Sequence, residues 1–164
     1  MKIVKRLLIV IIALVVVLQF VRPPRNTTEV DPAADINAKF NVPQDIRDML
    51  RTSCYDCHSN STRYPWYANV QPIGWWLNSH IQEARRELNF SEFSSYRVRR
   101  QFIKLQQIGE QVGEEEMPLP SYLILHTDAR LGKEQRDKIV AWANSLRETM
   151  KGMYPPDSLE RKGR

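Results

Sequence analysis

The sequence predicts an all-α fold, a small helical domain preceded by one N-terminal transmembrane helix. Three observations carry this expectation. Apolar residues recur at helical spacing in four separate segments, no stretch sustains strand-like alternation, and one long apolar run opens the chain.

The opening run extends from Leu7 to Val21 and is broken only by Gln19. Lys2, Lys5 and Arg6 precede it. Counting Ile3 and Val4, with the basic stems lying along lipid, it approaches the roughly 20 residues a helix needs to span a bilayer. β-Branched residues dominate it and it has no polar face, which disfavours a buried core helix. Its end, from Val15 to Pro24, lacks a small-residue cleavage pattern. No cysteine follows directly, which disfavours a lipoprotein. Residues 1–21 are therefore expected to be an uncleaved signal anchor. The basic flank places the N-terminus inside and the bulk exported. Arg22 and Arg25 weigh against that orientation without reversing it.

Residues 22–42 contain Pro23, Pro24 and Pro32 and little apolar periodicity, and predict an extended linker. Residues 43–152 predict the domain. Pro43 suits a first helical position, with Asp45 in the first turn and Ile46, Met49 and Leu50 forming a stripe. A second helix is expected over residues 72–88, where Ile73, Trp76, Leu77, His80, Ile81 and Ala84 share a face. A third is expected over residues 95–111, carrying Val98, Phe102, Leu105 and Ile108, with Gly113 as its stop. The last is expected over residues 133–151, burying Ile139, Trp142, Ala143, Leu146 and Met150 before Gly152. Residues 153–164 predict a polar tail.

The formal net charge is +5, and Lys2, Lys5 and Arg6 contribute three of those charges. The basic balance is thus weak evidence for nucleic acid, and no nucleic-acid partner is expected. The six glycines are scattered and form no phosphate-binding loop.

Cys54-Tyr55-Asp56-Cys57-His58 is C-x-x-C-H, the pattern of covalent haem attachment. On a helix Cys54 and Cys57 stand at i and i+3, and His58 at i+4, so all three share one face. Two thiols can then add to the haem vinyls while the imidazole reaches the iron. Three other chemistries compete. A structural disulfide suits an exported protein. A thioredoxin-like pair would need a βαβ setting that is absent. A zinc site would need a second Cys or His pair, and the chain has only two cysteines and three histidines.

The stretch from Cys54 to Tyr67, CYDCHSNSTRYPWY, resembles the bacterial haem-binding domain family of cytochrome c type. So do Ile73 to Ile81 (IGWWLNSHI), Leu88 to Ser91 (LNFS), Glu116 to Tyr122 (EMPLPSY), and Ala141-Trp142 in the closing helix. The resemblance covers about residues 43–151. It implies a cytochrome c-like helical fold, one covalently attached haem c, and export to the periplasm. With the N-terminal segment, the expected location is the inner (cytoplasmic) membrane, single-pass, with the C-terminal domain in the periplasm. Gly132 departs from the usual Ser or Thr helix cap.

The sixth iron ligand has several candidates. Met117 before Pro118 resembles the distal-ligand loop of small c-type cytochromes. The proline restricts the backbone around it. Met117 could equally be a core gap-filler. His80, on the apolar stripe of the second helix, is the rival, and His126 is a third candidate. Trp66, Trp75, Trp76 and Trp142 are candidates to shield the porphyrin, although most aromatics simply pack. Arg85, Arg86, Arg97, Arg99 and Arg100 read first as solvated helix surface, and second as partners for propionates or an acidic protein. Glu114, Glu115 and Glu116 read as a solvated loop. Asn26, Asn60 and Asn89 each open an N-x-S/T triplet.

Two function classes follow. The first is an electron carrier that exchanges single electrons with periplasmic or membrane redox proteins, and is not an enzyme. The second is a gas or redox sensor, or a small peroxidase, with an open or displaceable sixth position. The shortage of distal acid–base groups beyond His80 and His126 favours the first. A structural haem-binding role within a larger complex is a third expectation.

Overall fold

The computed structural model describes residues 2–160. Nine α-helical segments appear among them, and no strand. They are α1 (Lys2–Leu18), α2 (Ile36–Lys39), α3 (Gln44–Ser53), α4 (Tyr55–His58) and α5 (Ile73–Glu87), then α6 (Val98–Gly113), α7 (Pro120–Leu123), α8 (Lys133–Met153) and α9 (Pro156–Leu159). Short 3₁₀ turns lie at Trp66–Asn69, Phe90–Ser95 and Thr127–Ala129.

The four long segments of helical spacing fold as α3, α5, α6 and α8. Helices α6 and α8 make the most extensive pairing. Phe102, Leu105, Ile108 and Val112 of α6 join Ile139, Trp142, Ala143 and Met150 of α8 in one buried cluster. Fully burying each large side chain contributes about 1.5–3 kcal/mol, so this pair is the mechanical base of the domain. Gly132 is the N-cap of α8, and its amide donates to Gln135 Oε1 at 2.8 Å. The Gln135 side chain thus satisfies an amide at the helix start.

The segment expected as a spacer packs inward. Ile36, Phe40 and Val42 are buried in the main cluster, and Phe40 meets Phe93 edge-on. Leu159 of α9 closes the same cluster from the C-terminal side. Residues 161–164 of the expected tail lie outside the described residues.

The N-terminal transmembrane helix is not supported. Helix α1 has 17 residues, and no described helix is long and apolar enough to cross a membrane. The single-pass inner-membrane placement loses its basis with it. The shortfall has a local cause. The helix stops at Leu18, and Gln19 turns to the domain, where its side chain donates to Gln71 O at 3.2 Å and accepts from the Gln71 amide at 2.8 Å. Trp75 Nε1 donates to Val21 O at 2.7 Å. Residues counted as the end of the apolar run are thereby bound to the start of α5. Gly74 belongs to the same junction. A Cβ there would lie 2.4 Å from the carbonyl oxygen of Ala68, so only glycine lets α5 approach the Trp66–Asn69 turn so closely.

Candidate functional site

The C-x-x-C-H stretch forms a single helical turn. Helix α3 breaks at Cys54, whose carbonyl accepts from the amides of Cys57 (3.1 Å) and His58 (2.9 Å). The cysteines are not joined to each other. Burial, followed by the charge of Cys57, pushes the Cys54 thiol up to about 12. Burial, followed by the charge of Asp56, pushes the Cys57 thiol up to about 11. A dithiol redox centre needs a lowered thiol pKa, so this environment disfavours the thioredoxin-like alternative.

His58 is held from behind. Its Nδ1 lies 3.1 Å from Ala84 O and 3.0 Å from Leu88 O. Carbonyl oxygens only accept, so Nδ1 carries the proton and Nε2 keeps its lone pair. Both carbonyls belong to the C-terminal end of α5, the negative end of the helix dipole. Burial holds the imidazole below its ordinary value of 6.5, while the two backbone bonds oppose the shift. A neutral imidazole with its second nitrogen anchored is the form that ligates a metal. The edge of His58 also meets Phe90, with ring centroids 6.4 Å apart.

Two adjoining cavities surround this turn. The larger, about 340 Å³, has apolar walls from Leu50, Leu88, Phe90, Ile108 and Val112. That volume falls in the range of small-molecule sites. Cys54, His58, Met117 and Pro118 line it as well. Lys104 and Glu87 line it too, and pair with each other at 3.0 Å. The smaller cavity, about 50 Å³, is lined by Cys54, Cys57, His58, His80 and Met117, with Asp56 and Tyr122 beside them. Cys54, His58 and Met117 therefore line both spaces, whereas Cys57 and His80 line only the smaller. This combination fits haem, with two sulfurs, an oriented imidazole, a thioether and an apolar slot converging on one place.

Other candidates lie elsewhere. His126 lines neither cavity, and its ring stacks on Tyr122. None of the four tryptophans lines either cavity. Trp66 is 76% exposed, Trp142 is in the core, and Trp76 packs on His80 at 4.4 Å. The arginines do not line the cavities either. Arg85 bonds Asn60 Oδ1 at 2.7 Å, and Arg100 stacks on Tyr96 at 4.1 Å. Asn26, Asn60 and Asn89 are buried and hydrogen-bonded, with Asn60 bonding Asn89, Arg85 and Glu92.

Sequence reasoning missed Asp56, Tyr122 and Lys104. Asp56 is buried between the two cysteines. Its carboxylate accepts from the Arg63 guanidinium at 3.0 and 3.3 Å and from the Tyr122 hydroxyl at 2.8 Å. Burial, then the bond to Asp56, raises the Tyr122 hydroxyl. A buried acid inside a cofactor motif needs a partner, and that requirement is the one signal that could have directed attention to Arg63.

Neither the curated proteins nor the solved structures yield a match to this chain. A family model described as a haem-binding domain matches residues 13–145. The match begins well before Pro43, in keeping with the burial of Ile36, Phe40 and Val42. It covers most of the chain and includes every residue of the cavities described above, and the chain belongs to the haem-binding domain family.

Proposed function

We propose that this haem protein is of the c type and passes single electrons between redox partners. In this reading Cys54 and Cys57 would hold haem through their sulfurs, and His58 and Met117 would hold its iron. The observation that carries it is the anchoring of His58 Nδ1 by the Ala84 and Leu88 carbonyls, in a wall shared with Cys54 and Met117. When bound, haem supplies an iron that alternates between ferric and ferrous states. The thiols of Cys54 and Cys57 would attach it, each S–H adding across one vinyl group. His58 presents Nε2, and Leu50, Leu88, Phe90, Ile108 and Val112 keep water away. The Met117 thioether favours ferrous iron and so raises the potential. With both His58 and Met117 holding the iron, the site would suit electron exchange better than gas or peroxide chemistry.

A second reading has one observation in its favour. His80 lines the smaller cavity with His58 and Met117, so His80 could replace the thioether and give a lower potential. Optical spectra of the purified protein, oxidised and reduced, with and without carbon monoxide, test both. The proposal expects a far-red sulfur–iron band in the ferric form and no carbon monoxide binding in the ferrous form. Absence of both the band and carbon monoxide binding supports His80. Rapid binding by the wild-type ferrous protein overturns the electron-carrier reading.

A further inference from the structure

Residues 114–132 connect α6 to α8 and carry Met117. The near end of this connection is fixed. Glu115 adopts a left-handed φ of 62° and pairs with Arg136 at 2.7 Å. The amides of Glu116 and Met117 then bond to Gln111 O at 2.9 and 3.1 Å. Helix α7, which follows, has no buried residue, and Ile124 and Leu125 just beyond it are exposed. Core packing therefore does little to hold this part of the chain.

Polar bonds hold it instead. Tyr122 of α7 donates its hydroxyl to Asp56 Oδ2 at 2.8 Å, and His126 Nε2 pairs with the Tyr67 hydroxyl at 2.9 Å. The rings of Tyr122 and His126 stack at 4.1 Å and 5°, which ties the two bonds into one unit. Both bonds end within the C-x-x-C-H stretch or against it. Asp56 stands between the cysteines, and Tyr67 belongs to a small buried cluster packed against Cys57. Asp56 is itself fixed by the guanidinium and the amide of Arg63.

We propose that Asp56 and Tyr67 are positioning residues which, through Tyr122 and His126, clasp the 114–132 connection shut and keep Met117 on the wall it shares with His58. The inference rests on the proposed role of Met117. A hydrogen bond to a buried carboxylate is among the stronger and more directional ones, and here it replaces the missing apolar anchor of α7. An inner residue of the C-x-x-C-H motif thus acts on the far side of the site, across 66 positions of sequence.

Tyr122→Phe keeps the ring and its stack on His126 but removes the hydroxyl. In the haem-loaded protein, amide hydrogen exchange over residues 117–126 should quicken by roughly tenfold or more, with α6 and α8 unchanged. The ferric far-red band should lose most of its intensity. Tyr67→Phe should act in the same direction, and so should Asp56→Asn, because both carboxylate oxygens accept from Arg63 or Tyr122 and an amide nitrogen can replace neither. Unchanged exchange in Tyr122→Phe and Tyr67→Phe overturns the clasp. Quickened exchange with the band at full strength overturns its role in positioning Met117. If the wild-type protein lacks the band, the reading of Met117 as ligand fails, and exchange alone decides the clasp.

Discussion

The carbonyl oxygen of Leu88 stands 3.0 Å from Nδ1 of His58, across 30 positions of sequence. The motif can form its helical turn locally, but the orientation of the imidazole depends on where α5 ends. Leu88 is the C-cap of α5, and its amide closes the helix onto Ala84 O at 2.8 Å. Ala84 O therefore serves both the helix end and His58. A change that lengthens or frays α5 should disturb the orientation of His58 before it disturbs the core.

Attachment is the first test. Haem in the mature protein should stay with the polypeptide through acid-solvent extraction, because thioether bonds do not depend on folding. Cys54→Ala and Cys57→Ala should each leave at most one bond, and the double variant should release all haem. Complete extraction from the wild-type protein would remove the covalent reading and leave haem binding intact.

Ligand variants separate the axial candidates. Met117→Ala should abolish the far-red band, admit carbon monoxide and lower the potential, since the thioether is lost. His80→Ala should leave all three readings unchanged. If His80→Ala alone admits carbon monoxide, the haem is held by two histidines and electron exchange survives with a different ligand.

The haem-free chain should show a stability plateau bounded on both sides. His58 has a lowered pKa when folded, so the unfolded chain takes up a proton first, and stability falls as pH drops below about 6.5. Cys54 and Cys57 have raised values when folded, so the unfolded chain loses protons first, and stability falls as pH rises above about 9. Each group changes stability by at most about 1.4 kcal/mol per pH unit. Urea midpoints from pH 5 to 10.5 check this, and a flat profile would remove the buried-imidazole and buried-thiol account.

Two glycines should respond in opposite directions. Gly74→Ala forces a methyl against the Ala68 carbonyl and should cost about 1–3 kcal/mol. Gly109, inside α6, has its nearest neighbour at 4.0 Å from a built Cβ. Gly109→Ala should therefore be neutral or stabilise by about 0.5–1 kcal/mol. Denaturant midpoints of the two variants provide the comparison.

Residues whose signal is local were legible. The spacing of Ile46, Leu50, Phe102, Leu105, Ile139 and Trp142 announces helices, and each of these side chains is buried. The C-x-x-C-H pattern pointed to haem, and haem binding is the property of the family. Ile36, Phe40 and Val42 were not legible as core, because α2 has only four residues and no period can establish itself there. The end of α1 was not legible either, because Gln19 is fixed by Gln71, 52 positions away. Lys104 and Tyr122 were hidden for a similar reason. A cation on a helix and a tyrosine in a connection read as ordinary until folding brings them to the cavities.

The buried asparagines bear on the choice of expression host. Asn26-Thr27-Thr28, Asn60-Ser61-Thr62 and Asn89-Phe90-Ser91 are acceptor triplets for N-linked sugar. In the folded chain Asn26 Nδ2 bonds Ser59 O and Thr62, while Asn89 Nδ2 bonds Asn60 Oδ1. A eukaryotic secretory pathway meets these triplets on the nascent polypeptide, before those bonds exist. A glycan added there could not be accommodated, and the region beside Cys57 and His58 would fail to close. Yeast or insect secretion should therefore yield misfolded, glycosylated chain, whereas a bacterial host leaves the three amides free to pair.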